Sequence, residues 1–107
     1  RFTELGGPEV LHVVDADLGQ PGPGEALVDI AAIGLNRAES MFRRGDYIEP
    51  TVLPAGLGYE AAGTVAALGE GVTRWAVGDA VSVVPAFSMN DYTVYGRQAI
   101  VPARALV

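Results

Sequence analysis

The stretch Tyr59-Glu60-Ala61-Ala62-Gly63-Thr64-Val65-Ala66-Ala67-Leu68 alternates small and β-prone residues, then breaks at Gly69-Glu70-Gly71. A run of this kind closed by a turn predicts a short strand. Pro50 and Pro54 bend the chain before it, and Gly78-Asp79 turns it afterwards into the apolar run Ala80 to Val84. Tyr95 to Val101 predicts a last strand before Pro102. Towards the N-terminus, Gly6-Gly7-Pro8 turns into Val10 to Val14, an alternating segment that carries His12. Pro21-Gly22-Pro23-Gly24 then leads into Ala26 to Ile33, a nearly continuous apolar strand expected to be covered on both faces. Six or seven short strands separated by turns predict a mainly β fold, a small antiparallel barrel with one or two short helices.

The helix is read between Asn36 and Gly45. Asn36 can cap free amides, Glu39 suits the positive end of the dipole, and Arg43 and Arg44 suit the negative end. Gly45 can take the left-handed conformation that stops the helix. Ala38, Met41 and Phe42 fall at helical spacing and are expected to face inward.

At 107 residues the chain has room for one core and not for two. It is 50% hydrophobic and 19% charged, the balance of a folded domain, and its 14 Gly and 7 Pro favour turns over long helices. A net charge of −6, with no basic cluster beyond Arg43-Arg44, argues against nucleic acid as a partner. Nothing approaches the roughly 20 apolar residues that span a bilayer, and no signal pattern opens the chain, so it reads as soluble and cytoplasmic. There is no Cys from which to build disulfides.

Gly56-Leu57-Gly58-Tyr59-Glu60-Ala61 formally matches the dinucleotide fingerprint, and Asp79 stands about 20 residues on, where a ribose-binding acid belongs. The context rejects it. A true fingerprint follows a buried strand and opens a helix, whereas Pro50 and Pro54 precede this one and Gly63-Thr64-Val65 follows.

Read in order, Gly34-Leu35-Asn36-Arg37-Ala38-Glu39, Arg44-Gly45-Asp46-Tyr47, Leu53-Pro54, Gly58 to Val65, Gly69-Glu70-Gly71-Val72 and Gly78-Asp79-Ala80-Val81 form one series. In order and spacing the series resembles the N-terminal catalytic domain of the medium-chain dehydrogenase/reductase superfamily, on its zinc-independent, quinone-oxidoreductase-like branch. The resemblance implies a GroES-like β-barrel occupying residues 1–107. It also implies a Rossmann partner domain absent from this chain, with NADPH and substrate held between the two. On that reading the chain is an incomplete piece with a clipped start at Arg1, inactive alone, and its parent is expected to be homo-oligomeric.

In the zinc enzymes of the superfamily a Cys and a His occupy the positions held here by Asn36 and Tyr59. A catalytic zinc takes about three thiolate, imidazole or carboxylate ligands, and an amide and a phenol are poor replacements. His12, the single His, lies far from the motif and is read as a surface or barrel residue, so no metal is assigned. Glu60, without its usual metal neighbourhood, is read as a barrel carboxylate paired with Arg or backbone amides.

The resemblance makes Asn36 and Tyr47 the catalytic candidates, as donors to the acceptor oxygen. Asn36 as a helix cap and Tyr47 as cover for the barrel mouth are the alternatives. Tyr59 and Met41 are substrate-binding candidates: Tyr59 points into the cleft or fills the volume of the lost metal, and Met41 stands where relatives often carry another Tyr. Arg37 and Arg43 are candidate contacts to cofactor phosphate or ribose, set against the usual solvated helical Arg. The loop Phe87 to Tyr92 can bear on substrate choice. The activity implied is NADPH-dependent reduction of quinones, enones or related carbonyl acceptors. The competing readings are an alcohol dehydrogenase-type enzyme with a remodelled site and a stand-alone β-barrel binding or assembly module.

Overall fold

The computed structural model describes residues 1–107 and is mainly β. Strands β1 (Glu25–Gly34), β2 (Glu60–Leu68), β3 (Ala80–Val83) and β4 (Gln98–Pro102) form one four-stranded sheet in the order β3-β2-β1-β4. Every neighbouring pair is antiparallel. Helix α1 (Arg37–Arg44) follows β1, and short 3-10 turns lie at Pro8–Val10 and Ala103–Ala105.

The long strand β1 organises the sheet. Its whole length pairs with β2, from Ala26↔Leu68 to Gly34↔Glu60, whereas β4 covers only Glu25 to Asp29. Gly63 makes the close pairing possible, because a Cβ there would collide with the Asp29 carbonyl. The principal core gathers Ala26 and Val28 of β1, Val65 of β2, Val81 and Val83 of β3, and Val101 with Leu106. A second cluster of Phe2, Val10, Phe42, Ala55, Leu57, Tyr59 and Met89 seats α1 against the loops.

The sheet does not close into a barrel, and it has four strands instead of six or seven. Closure is approximated at one corner. After the turn at Ala103–Ala105 the chain returns to β3 through the bridge Val83↔Leu106 and the reciprocal hydrogen bonds of Ser82 and Val107. Val10 to Val14 is not a strand: Val10 ends a 3-10 turn, and residues 11–20 are exposed without a ladder partner. His12 accordingly sits on exposed irregular chain, its amide bonded to the Arg1 carbonyl. The last strand begins at Gln98, because the amides of Val94 and Tyr95 are both spent on the Leu57 carbonyl.

The expectation that the first strand is covered on both faces holds only for Ala26, Leu27 and Val28; Ala31, Ala32 and Ile33 are exposed where β4 no longer accompanies them. The end of α1 follows expectation, with Gly45 at φ 80° and the Asp46 amide donating to the Met41 carbonyl. The start differs. Asn36 occupies the cap position in extended backbone, and its side chain makes no capping bond. Phe42 is fully buried, while Ala38 and Met41 are half-buried; Glu39 is the other buried residue of the helix. No helix is long and apolar enough to cross a membrane.

Candidate functional site

The corner where β1 leaves the sheet and becomes α1 delivers Asn36 to the rim of a cleft. Tyr47 arrives from the loop after Gly45, and Tyr59 from the residue that precedes β2. Asn36, Ala38, Tyr47, Tyr59, Glu60, Pro85 and Phe87 line this cleft, whose volume is about 330 Å³. The Tyr59 hydroxyl donates to the Tyr47 hydroxyl across 3.3 Å. Their rings stand 6.3 Å apart, and Phe87 lies 5.8 Å beyond Tyr59. The wall is thus aromatic, with two hydroxyls and one amide at its edge.

Tyr59 is buried, and burial followed by the Tyr47 hydrogen bond pushes its pKa far above that of free tyrosine. It remains a phenol. Tyr47, half-buried and lining the cleft, keeps its hydroxyl within reach of a ligand. The Asn36 amide, unspent on capping, is also free on both its polar atoms.

The other candidates fall apart spatially. Met41 is half-buried on α1 and does not line the cleft. Arg37 stands exposed in the first turn of α1. Arg43 is stapled to the N-terminal loop: its Nε donates to the Gly6 carbonyl at 3.1 Å and its own carbonyl accepts from the Gly6 amide. Of the loop Phe87 to Tyr92, Phe87 reaches the cleft, and Met89 is buried in the second cluster instead.

Two residues that sequence reasoning placed elsewhere belong to the support of the site. Tyr95, expected in a strand, lies outside β4 with its hydroxyl 2.9 Å from Glu39 Oε1 and 3.2 Å from the Gly34 carbonyl. Glu39, expected to serve the helix dipole, is buried beneath that hydroxyl. No local pattern distinguishes Tyr95 from a strand residue, since its partners lie 56 and 61 positions away.

The donor set does not suit a catalytic zinc. Of the residues lining the cleft only Glu60 is of a usual ligand type, and no group of three His, Cys, Asp or Glu side chains is placed to hold a metal. Gly56 to Ala61, the formal dinucleotide fingerprint, opens strand β2 at Glu60 and no helix, so it forms no phosphate cradle.

Residues 22–104 match the alcohol dehydrogenase GroES-like domain family. A quinone oxidoreductase of Pseudomonas aeruginosa is 49% identical over 82 residues, covering 77% of this chain and 25% of that protein. A quinone oxidoreductase structure from Pseudomonas syringae superposes with a TM-score of 0.88 at 42% identity, over 99% of this chain and 31% of its own. The Escherichia coli quinone oxidoreductase complexed with NADPH gives a TM-score of 0.87 at 35% identity, again over 99% of this chain and 31% of its own. The chain therefore spans between a quarter and a third of the length of these relatives. With the motif series, the open antiparallel sheet and these likenesses together, the chain belongs to the alcohol dehydrogenase GroES-like domain family of the medium-chain dehydrogenase/reductase superfamily, among its quinone oxidoreductase relatives.

Proposed function

We propose that this chain is the substrate-side domain of an oxidoreductase that reduces quinones, enones or related carbonyl acceptors with NADPH and without zinc, its nucleotide half lying outside these residues. The observation that carries the reading is the aromatic cleft in which the Tyr59-to-Tyr47 hydrogen bond and the unspent Asn36 amide converge. That its relatives are quinone oxidoreductases, the Escherichia coli one solved in complex with NADPH, supports the same chemistry.

A bound nicotinamide supplies the hydride. The residues of this chain then have three tasks: to orient a flat acceptor, to keep water away and to meet the charge growing on its oxygen. Tyr59 and Phe87, their rings tilted against each other 5.8 Å apart, line the cleft with aromatic surface on which a planar ligand can pack. Tyr47 donates its hydroxyl proton to the acceptor oxygen, polarised by the Tyr59 bond behind it. Asn36 adds an N–H without changing protonation. Arg37, exposed beside the cleft rim, is the remaining candidate for a cofactor phosphate, whereas Arg43 has its Nε engaged by Gly6. We place the enzyme in the cytoplasm as a homo-oligomer.

The test is turnover by the full-length enzyme before and after exhaustive chelation. NADPH oxidation with quinones and enones, undiminished by chelation, is the expected result. About one tightly held zinc per chain, with activity lost on its removal and primary alcohols preferred, would overturn the proposal for the alcohol dehydrogenase reading. A chain that assembles with a protein partner and shows no oxidoreductase activity would return it to a binding module.

A further inference from the structure

Glu39 is the one charged side chain that the fold buries, at 4% exposure. Its Oε1 receives the Tyr95 hydroxyl at 2.9 Å, and its Oε2 has no partner. Burying a carboxylate with an orphaned oxygen costs stability, so contribution to the fold does not account for it. Its place in the chain does. The same Tyr95 hydroxyl lies 3.2 Å from the carbonyl of Gly34, the last residue of β1, while Glu39 belongs to the first turn of α1. Between those two anchors lies only the corner that carries Asn36. The Tyr95 ring also packs on Gly58, where a Cβ would strike it, and its amide bonds to the Leu57 carbonyl. One side chain therefore braces both the corner that presents Asn36 and the segment that presents Tyr59.

We propose that Tyr95 and Glu39 are positioning residues of the site, a clamp across the β1-to-α1 corner that fixes where the Asn36 amide enters the cleft. The inference rests on the reading of Asn36 as a donor to the acceptor oxygen. Burial and the adjacent Glu39 keep the Tyr95 hydroxyl protonated and so able to hold the clamp. A misplacement near 1 Å at a reacting group can cost up to about a hundredfold in rate, so a loosened corner registers in turnover before it registers in folding.

The test is a set of variants of the full-length enzyme. Tyr95→Phe and Glu39→Ala should each lower kcat about tenfold with KM for NADPH little changed, and Glu39→Gln, which keeps an acceptor for the hydroxyl, should recover most of the loss. In an Asn36→Ala background, Tyr95→Phe should lower kcat no further, because the route runs through Asn36. A full tenfold loss in that background, or none in the single variant, overturns the clamp. If the wild-type enzyme turns over no quinone or enone, the functional reading fails separately. The clamp is then decided by the NMR signals of the Asn36 side-chain amide in the same protein, which must move in Tyr95→Phe and Glu39→Ala and return in Glu39→Gln. Signals that stay in place in all three overturn it.

Discussion

Tyr59 donates its hydroxyl proton to Tyr47 across 3.3 Å at the rim of the cleft. Burial separates two otherwise similar phenols: Tyr59 is enclosed in the second cluster, and Tyr47 stands half-buried at the rim, where its hydroxyl can meet a ligand. Tyr47→Phe in the full-length enzyme is accordingly expected to lower kcat by about tenfold to a hundredfold, in the range of a lost transition-state donor. The unfolding midpoint should hardly move, since Tyr47 is only half-buried. Steady-state kinetics with a quinone and an enone, beside a urea titration, measure both. Unchanged kinetics would make Tyr47 a cover for the cleft mouth.

The tyrosines also set an alkaline limit. Tyr59 and Tyr95 are raised first by burial, and Tyr92 first by its hydrogen bond to Glu25. A phenol whose folded pKa exceeds its unfolded value of about 10 contributes stability in full below pH 10 and loses it as pH rises through the folded value. Urea midpoints should therefore fall steeply above about pH 10, with the ring NMR signals of Tyr59, Tyr92 and Tyr95 keeping their phenol positions until the fold opens. Tyr95→Phe should flatten that dependence. Any of these three rings turning to phenolate at free-tyrosine pH in the folded chain would contradict it.

At the acid side the pair Glu25 and Tyr92 acts in the opposite sense. The Tyr92 hydroxyl at 2.6 Å, followed by the Gly22 amide, lowers the Glu25 pKa. A lowered carboxylate contributes stability above its unfolded pKa of about 4.3 and loses it as pH falls through the folded value. Tyr92→Phe should remove part of that acid sensitivity, seen as a smaller drop in urea midpoint between neutral and acid pH. An identical acid profile in the variant would show that the bond does not form in solution.

What could be read from the sequence was what short-range chemistry decides. Gly45 stopped the helix because a left-handed residue was needed there, and the alternation around Val65 produced β2 within one residue of its expected start. The motif series located Asn36, Tyr47 and Tyr59, and the structure brings these to one cleft. The misses come from partners far along the chain. Val10 to Val14 has the pattern of a strand but no neighbour to pair with, and Tyr95 is withdrawn from β4 by Leu57, Gly34 and Glu39. Arg43 looked available for a cofactor and is tied to Gly6, a contact spanning 37 positions.

Gly63 offers a test of the sheet itself. It pairs with Ile30 beside the irregularity between Ile30 and Ala32, and an added Cβ meets backbone, which cannot swing aside as a side chain can. Gly63→Ala should cost about 1–3 kcal/mol, the scale of overpacking a tight contact, read as a lowered urea midpoint with an unchanged slope. A neutral effect would mean that β1 and β2 separate more readily than their pairing indicates.

The last prediction concerns nucleotide binding by residues 1–107 alone. The sheet is antiparallel throughout, so it lacks the parallel strand-helix-strand unit that carries a dinucleotide pyrophosphate at a helix N-terminus. Gly56 to Ala61 has the right letters, but Gly58 sits at φ 109° against the Tyr95 ring and the chain proceeds into β2. What this chain can offer NADPH is Arg37 and the edge of an aromatic cleft, without the backbone amides that would grip two phosphates. Titrating the isolated chain with NADPH by calorimetry should therefore show no saturable heat below about 1 mM, where binding is worth only about 4 kcal/mol. Micromolar binding, abolished by substituting Gly56, would establish a phosphate site in the loop before β2; micromolar binding abolished by Arg37→Ala would instead make α1 a principal cofactor contact.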